Sequence, residues 1–178
     1  MLAHASIRPK INRFSSTTFS FENSIRLKQK KYPMARIWKH DFNLEALNAS
    51  GSNTLMEHLD IEIMDFGDDY LEARMPVDER TVQPMGILHG GASVVLAETL
   101  GSIASTLCIE DLSKQTAVGV EINANHLRSV PAGQEVIGRV SPVRVGRTIQ
   151  VWRIDIRNAE GKAVCVSRLT IAIVPRRS

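Results

Sequence analysis

The chain has 178 residues, 43% of them hydrophobic, enough for one substantial core and within the usual size of a single domain. Its formal charge of +3 is unevenly spread: of 22 basic and 19 acidic residues, seven and one fall in residues 1–33, leaving 15 against 18 in the rest. A mildly acidic folded part argues against nucleic-acid binding, and no apolar run is long and charge-free enough to span a bilayer. A soluble, cytoplasmic protein is expected.

Residues 1–33 are basic and rich in Ser and Thr (Ser15, Ser16, Thr17, Thr18, Ser20). That composition fits a transit peptide, a disordered tail or a start codon placed upstream of Met34, and residues 34–178 are expected to form the domain. Asn43 to Asn48 suggests a short helix with Asn43 as N-cap and Gly51 past its end, and Asn53 is expected to cap a second turn through His58. Leu59, Ile61 and Ile63 then alternate with polar residues, Gly67-Asp68-Asp69 marks a turn, and Leu71, Ala73 and Met75 alternate again, which reads as a hairpin with one wet face.

After a polar loop with glycines at 86, 90 and 91, side chains from Ala92 to Cys108 are apolar on nearly every face, the pattern of a helix buried all round. Its small residues Gly101, Ser102, Ala104 and Ser105 would let a sheet wrap closely. Four extended segments follow: Thr116 to Leu127, Glu135 to Val145, Thr148 to Asn158 and Ala163 to Val174. Short connections between them imply an antiparallel four-strand meander, and the economical α+β arrangement is an antiparallel sheet wrapped around one long central helix. The two cysteines, Cys108 and Cys165, lie in apolar runs with no paired spacing, so they read as core residues of a reducing compartment.

Glu98 is the only charged side chain between His89 and Glu110. A carboxylate in an apolar helix costs several kcal/mol to desolvate unless it is paired, protonated or facing a cleft. Two readings follow: Glu98 lies on an exposed stripe with Ser102 and Ser105, or it lines a site. His89 is equally open, as a loop histidine or as part of a site. The glycines beside it and the helix start that follows favour a place for a developing oxyanion, because free N–H groups gather there. Nucleophile elbow, phosphate loop, dinucleotide fingerprint and His/Cys metal spacing are all absent. No metal and no cofactor are expected, and a hydrolase without a serine triad needs a carboxylate with hydrogen-bond polarisation.

The stretch Gln83 to Glu98, QPMGILHGGASVVLAE, with its H-G-G-x-x-x-x-x-x-E spacing, resembles the hotdog-fold acyl-CoA thioesterases, and among them the branch acting on aromatic acyl-CoA. The likeness continues through Ile37 to Lys39, Leu44 to Asn48, Met75 to Asp78 and Glu121 to His126, and covers residues 35–174. The run Asn125 to Ser129 most resembles the members that hydrolyse 1,4-dihydroxy-2-naphthoyl-CoA in menaquinone (vitamin K2) biosynthesis. The alternatives are the proofreading thioesterases that act on aryl or acyl carrier protein in siderophore synthesis, and a non-catalytic acyl-binding module.

The resemblance implies Glu98 as nucleophile or general base, Gln83 and the Gly90 N–H polarising the thioester carbonyl, His89 orienting the thioester and Ser102 holding the attacking water. It places the CoA moiety near Gly119, near His126, Leu127, Arg128 and Ser129, and near the turn Arg144, Val145, Gly146, Arg147, Thr148 and Ile149, where Arg144 and Arg147 stand at positions that vary in the family. It also implies a homo-oligomer, dimer or tetramer, with sheets paired edge to edge and the site between subunits, and neither nucleic acid nor membrane as a partner.

Overall fold

The computed structural model describes residues 35–176; the basic segment 1–33 lies outside them. Two short helices come first, α1 (Leu44–Ala49) and α2 (Leu55–His58). Asn43 caps α1 as expected, its side chain accepting from the Ala46 N–H at 2.7 Å. The cap of α2 is Thr54 rather than Asn53: Thr54 Oγ1 accepts from the Met56 N–H at 3.2 Å. Asn53 instead takes a left-handed φ of 59°, and its N–H donates to the Glu57 carboxylate. Asn tolerates that conformation better than most residues do, which explains its place before the cap.

Strands β1 (Glu62–Phe66) and β2 (Leu71–Val77) form the expected hairpin, closed by the Gly67 N–H donating to the Tyr70 carbonyl at 3.0 Å. The inward residues Leu71, Ala73, Met75 and Val77 are fully buried. Next come the long helix α3 (Gly90–Leu107) and strands β3 (Gln115–His126), β4 (Gln134–Val145), β5 (Ile149–Asn158) and β6 (Ala163–Pro175). All pair antiparallel in one sheet of order β1-β2-β4-β5-β6-β3. The expected four-strand meander therefore holds only for β4, β5 and β6. Strand β3 crosses to the far edge and pairs with β6 along its whole length, from Gln115 opposite Pro175 to His126 opposite Cys165.

Helix α3 lies against the inner face of this sheet, and glycines set the closeness of the contact. A Cβ at Gly101 would fall 2.3 Å from Leu169, and one at Gly138 of β4 would fall 2.9 Å from Leu100. Leu96 and Leu100 are wholly buried there, each such side chain stabilising the fold by roughly 1.5–3 kcal/mol relative to exposure. Trp152 of β5 donates its indole N–H to the Ser105 hydroxyl at 2.6 Å, while Trp38 stacks on it at 6.5 Å between ring centroids. Cys108 and Cys165 are free and buried, and burial pushes the Cys108 thiol up to about 12.

The helix is not buried all round. Ala92, Leu96, Ala97, Leu100, Gly101 and Ala104 face the sheet, whereas Val94, Val95, Glu98, Thr99, Ser102 and Ile103 form a half-covered face. No helix among the described residues is long and apolar enough to cross a membrane.

Candidate active site

The loop leading into α3 is pinned on both sides. The Gln83 N–H donates to the Ile87 carbonyl and the Gly86 N–H returns to the Gln83 carbonyl, each at 2.9 Å, closing a turn in which Gly86 takes φ +72°. Glycine suits that position because it lacks a Cβ. The His89 N–H donates to the Thr81 carbonyl and the Leu88 N–H to the Val130 carbonyl, each at 2.8 Å. Buried Thr81 is tied by its hydroxyl to the Pro76 carbonyl at 2.9 Å. Backbone bonds to the loop after β2 and to the β3–β4 connection thus fix what this loop presents.

Half-buried Gln83 accepts from the Met85 N–H through Oε1 at 2.8 Å, which leaves its amide nitrogen as a donor. His89 is the N-cap of α3. Its Nδ1 accepts from the Gly91 N–H at 2.8 Å and its carbonyl accepts from the N–H groups of Ala92 and Ser93. An accepting Nδ1 places the proton of the neutral ring on Nε2. The first helical N–H, that of Gly90, meets no acceptor among the described residues and stands at the positive end of the helix dipole.

His126, the last residue of β3, lies over Gly90: a Cβ there would fall 2.9 Å from its Nε2 and 3.1 Å from its Cε1. Gln83, Gly90, Ser93, His126, Arg128 and Ser129 line one cleft of ≈ 440 Å³, with exposed Leu127 on its edge.

Glu98 lies eight residues into the helix from Gly90, about 12 Å along the axis. Its carboxylate rests against β3, where a Cβ at Gly119 would fall 2.5 Å from Oε1. Burial pushes the carboxyl above the usual range, and the Ser102 hydroxyl one turn on partly opposes that. The stripe that would have left Glu98 merely solvated is broken, because Ser105 turns the other way and is buried against Trp152. The environment therefore makes the Glu98 carboxylate more basic than an exposed one, the direction a general base needs.

The turn Arg144 to Ile149 is the β4–β5 hairpin, closed by the Gly146 N–H donating to the Ile149 carbonyl at 3.0 Å. Arg144, Val145, Arg147, Thr148 and Ile149 are exposed, and Gly146 and Arg147 border a cleft at the C-terminal end of α3. The residues singled out in the sequence thus fall into three groups along α3: Gln83, His89, Gly90 and His126 to Ser129 at its start, Glu98, Ser102 and Gly119 at its middle, and the arginine turn at its end. Two further residues escaped the sequence reading. Ser93 lines the first cleft, and its burial follows from its helical spacing to Leu96, Ala97 and Leu100 on the sheet-facing side. Gln150, 2% exposed, lines the last one; its parity with Trp152 and Ile154 along β5 was the available signal. No cluster of three or more His, Cys, Asp or Glu among the described residues could hold a metal ion.

Residues 85–165 match the Thioesterase superfamily model. The chain is 54% identical over 138 residues to the 1,4-dihydroxy-2-naphthoyl-CoA hydrolase of Escherichia coli, an alignment covering 78% of this chain and 99% of that protein. It is 53% identical to a proofreading thioesterase of Cronobacter turicensis, covering 78% and 98%. The crystal structure of a thioesterase from Haemophilus influenzae superposes with a TM-score of 0.74 at 55% identity, covering 78% of this chain and 95% of that one. Sheet, central helix and relatives agree, and the chain belongs to the thioesterase superfamily as a hotdog-fold thioester hydrolase.

Proposed function

We propose that residues 34–178 hydrolyse an aromatic acyl-CoA, 1,4-dihydroxy-2-naphthoyl-CoA in menaquinone biosynthesis, with Glu98 as the nucleophile or general base. The observation that carries this reading is the half-buried Glu98 carboxylate, raised by burial, set between the Ser102 hydroxyl and the Gly119 backbone. In this mechanism Gln83 and the free Gly90 N–H polarise the carbonyl, which gathers negative charge as it is attacked. His89, held by its own cap bond, presents Nε2–H toward the thioester end, and Ser102 steadies the attacking water. Attack by water activated at Glu98, or by Glu98 itself with later hydrolysis of the anhydride, breaks the C–S bond and releases CoA thiol and the free acid.

Two copies are needed on this reading. About 12 Å of helix separates Gly90 from Glu98 within one chain, too far for both to serve one carbonyl. The twelve-residue edge strand β3 carries exposed Val118 and Val120 and offers the pairing surface. An antiparallel pair of such edges would bring one copy's Glu98 toward the other's Gly90.

The second reading, a proofreading thioesterase acting on a loaded carrier protein, is favoured by the relative at 53% identity. A panel of 1,4-dihydroxy-2-naphthoyl-CoA, benzoyl-CoA, aliphatic acyl-CoA and aryl-loaded carrier protein, followed by thiol release, separates the two. The naphthoyl ester is expected to show the highest kcat/KM; a clear preference for the carrier-bound substrate would overturn the assignment.

A further inference from the structure

His126 ends β3, and its backbone is fixed on both sides. It pairs with Cys165 at the end of the β3–β6 ladder, and the next N–H, that of Leu127, donates to the Val164 carbonyl at 2.8 Å. The ring reaches over Gly90 tip first, since a Cβ there would fall 2.9 Å from Nε2, 3.1 Å from Cε1 and 3.3 Å from Cδ2. In the mechanism above the Gly90 N–H meets the thioester oxygen, and the sulfur is joined to the same carbon as that oxygen. The Nε2 edge of His126 is thus held beside the bond that breaks.

Two histidines flank this point, and their hydrogen bonds give them different capacities. His89 accepts through Nδ1 from the Gly91 N–H at 2.8 Å, so its ring stays neutral with one proton, on Nε2. Such a ring donates a hydrogen bond but cannot give its proton away without becoming an anion. A second proton, on Nδ1, would set two N–H groups against each other and break the cap. His126 carries no such tie: among the described residues the histidine ring hydrogen bonds are those of His40 and His89. It can hold both ring protons and release one, as histidine does near neutral pH. The residues lining its cleft include no carboxylate, while Arg128 adds a positive charge that favours negative charge on sulfur.

We propose that His126 is a general acid of the reaction, giving its Nε2 proton to the departing thiolate; the proposal rests on the thioesterase reading given above. Water adds to the acyl carbon as Glu98 takes one of its protons, the C–S electron pair leaves on sulfur, and the His126 proton joins that pair. The proton on Glu98 then returns to His126 through solvent, and the sum is thioester plus water giving acid plus thiol. If Glu98 attacks directly, the water that opens the anhydride returns the proton instead. A weakly acidic alkyl thiol such as CoA leaves poorly without a proton, whereas an acidic aryl thiol leaves readily as its anion.

The test uses the full chain and three benzoyl thioesters: benzoyl-CoA, S-benzoyl-N-acetylcysteamine, which is an alkyl thioester without the nucleotide, and the benzoyl ester of 4-nitrothiophenol. His126→Gln keeps an N–H donor but has no proton to transfer. It should lower kcat by roughly 10²–10⁴ on both alkyl thioesters and by far less on the nitrothiophenyl ester, whose turnover also shows that the variant folds. His126→Asn should give the same pattern. Equal losses on the N-acetylcysteamine and nitrothiophenyl esters would overturn the assignment. So would a loss confined to benzoyl-CoA, which would make His126 a contact of the nucleotide. In the wild type, kcat across a series of benzoyl thioesters should depend little on the acidity of the thiol; a steep fall toward the less acidic thiols would overturn the proposal without any variant. If the wild type hydrolyses none of the esters, the thioesterase reading and this proposal fall together, whereas each of the other failures leaves that reading standing.

Discussion

Replacing Gly119 by Ala perturbs the Glu98 carboxylate without touching its chemistry. The new methyl would lie 2.5 Å from Oε1, about 0.9 Å short of the 3.4 Å at which ordinary contact begins. The atom it meets ends a flexible side chain, so the carboxylate swings aside and the backbone stays in place. Gly119 shows no left-handed φ, so alanine is not strained there, and the lower entropy of the unfolded chain should add about 0.4–1 kcal/mol of stability. A displacement near 1 Å of a reacting group costs on the order of 10² in rate. The expected outcome is a kcat lowered roughly a hundredfold, a nearly unchanged KM and a thermal midpoint equal to or slightly above that of the wild type. Thiol release and differential scanning fluorimetry on the same preparations check both halves. A kcat within a few-fold of wild type would refute the reasoning, since it would show that the carboxylate position does not limit turnover.

Removing the Ser102 hydroxyl by Ser102→Ala withdraws the group that opposes the burial of Glu98, so the acidic limb of the pH–kcat/KM profile should move to higher pH; an unmoved limb would separate Ser102 from Glu98. Ser105→Ala leaves the Trp152 indole N–H buried without an acceptor and should cost about 1–3 kcal/mol in urea unfolding, with kcat little altered.

The sheet was legible in the sequence because inward residues of half-buried strands repeat every second position, as Leu71, Ala73, Met75 and Val77 do. The place of β3 was not, since it depends on pairing between Gln115–His126 and Ala163–Pro175, segments far apart in the chain whose local patterns do not name each other. The helix misled for a related reason. Val94, Val95 and Ile103 are as apolar as the core residues, and composition cannot tell a face covered by the sheet from one left half-covered. The second cap was misplaced by a single residue because Asn53 and Thr54 are both good caps, and the choice between them fell to the left-handed backbone at Asn53.

Of the candidate site, the loop glycines, His89 and Glu98 could be named from spacing, but not their distances. That Ser105 leaves the polar stripe follows only from its bond to Trp152, 47 residues away. Gln150 could have been noticed as a polar residue at an inward position of β5, yet only the folded chain reveals that its acceptor goes unmet.

The central claim, that Glu98 carries the hydrolysis, is tested most directly by single-turnover hydrolysis of 1,4-dihydroxy-2-naphthoyl-CoA by wild type and Glu98→Gln, with thermal midpoints taken from pH 4 to pH 8. Because burial raises this carboxyl in the fold, its protonated form favours folding. That contribution is complete below the ordinary carboxylate range and is lost as pH rises through the raised value. At neutral pH the glutamine variant should therefore be at least as stable as the wild type, while its rate falls by roughly 10²–10⁴. A variant that hydrolyses the ester at near wild-type rate would contradict the account.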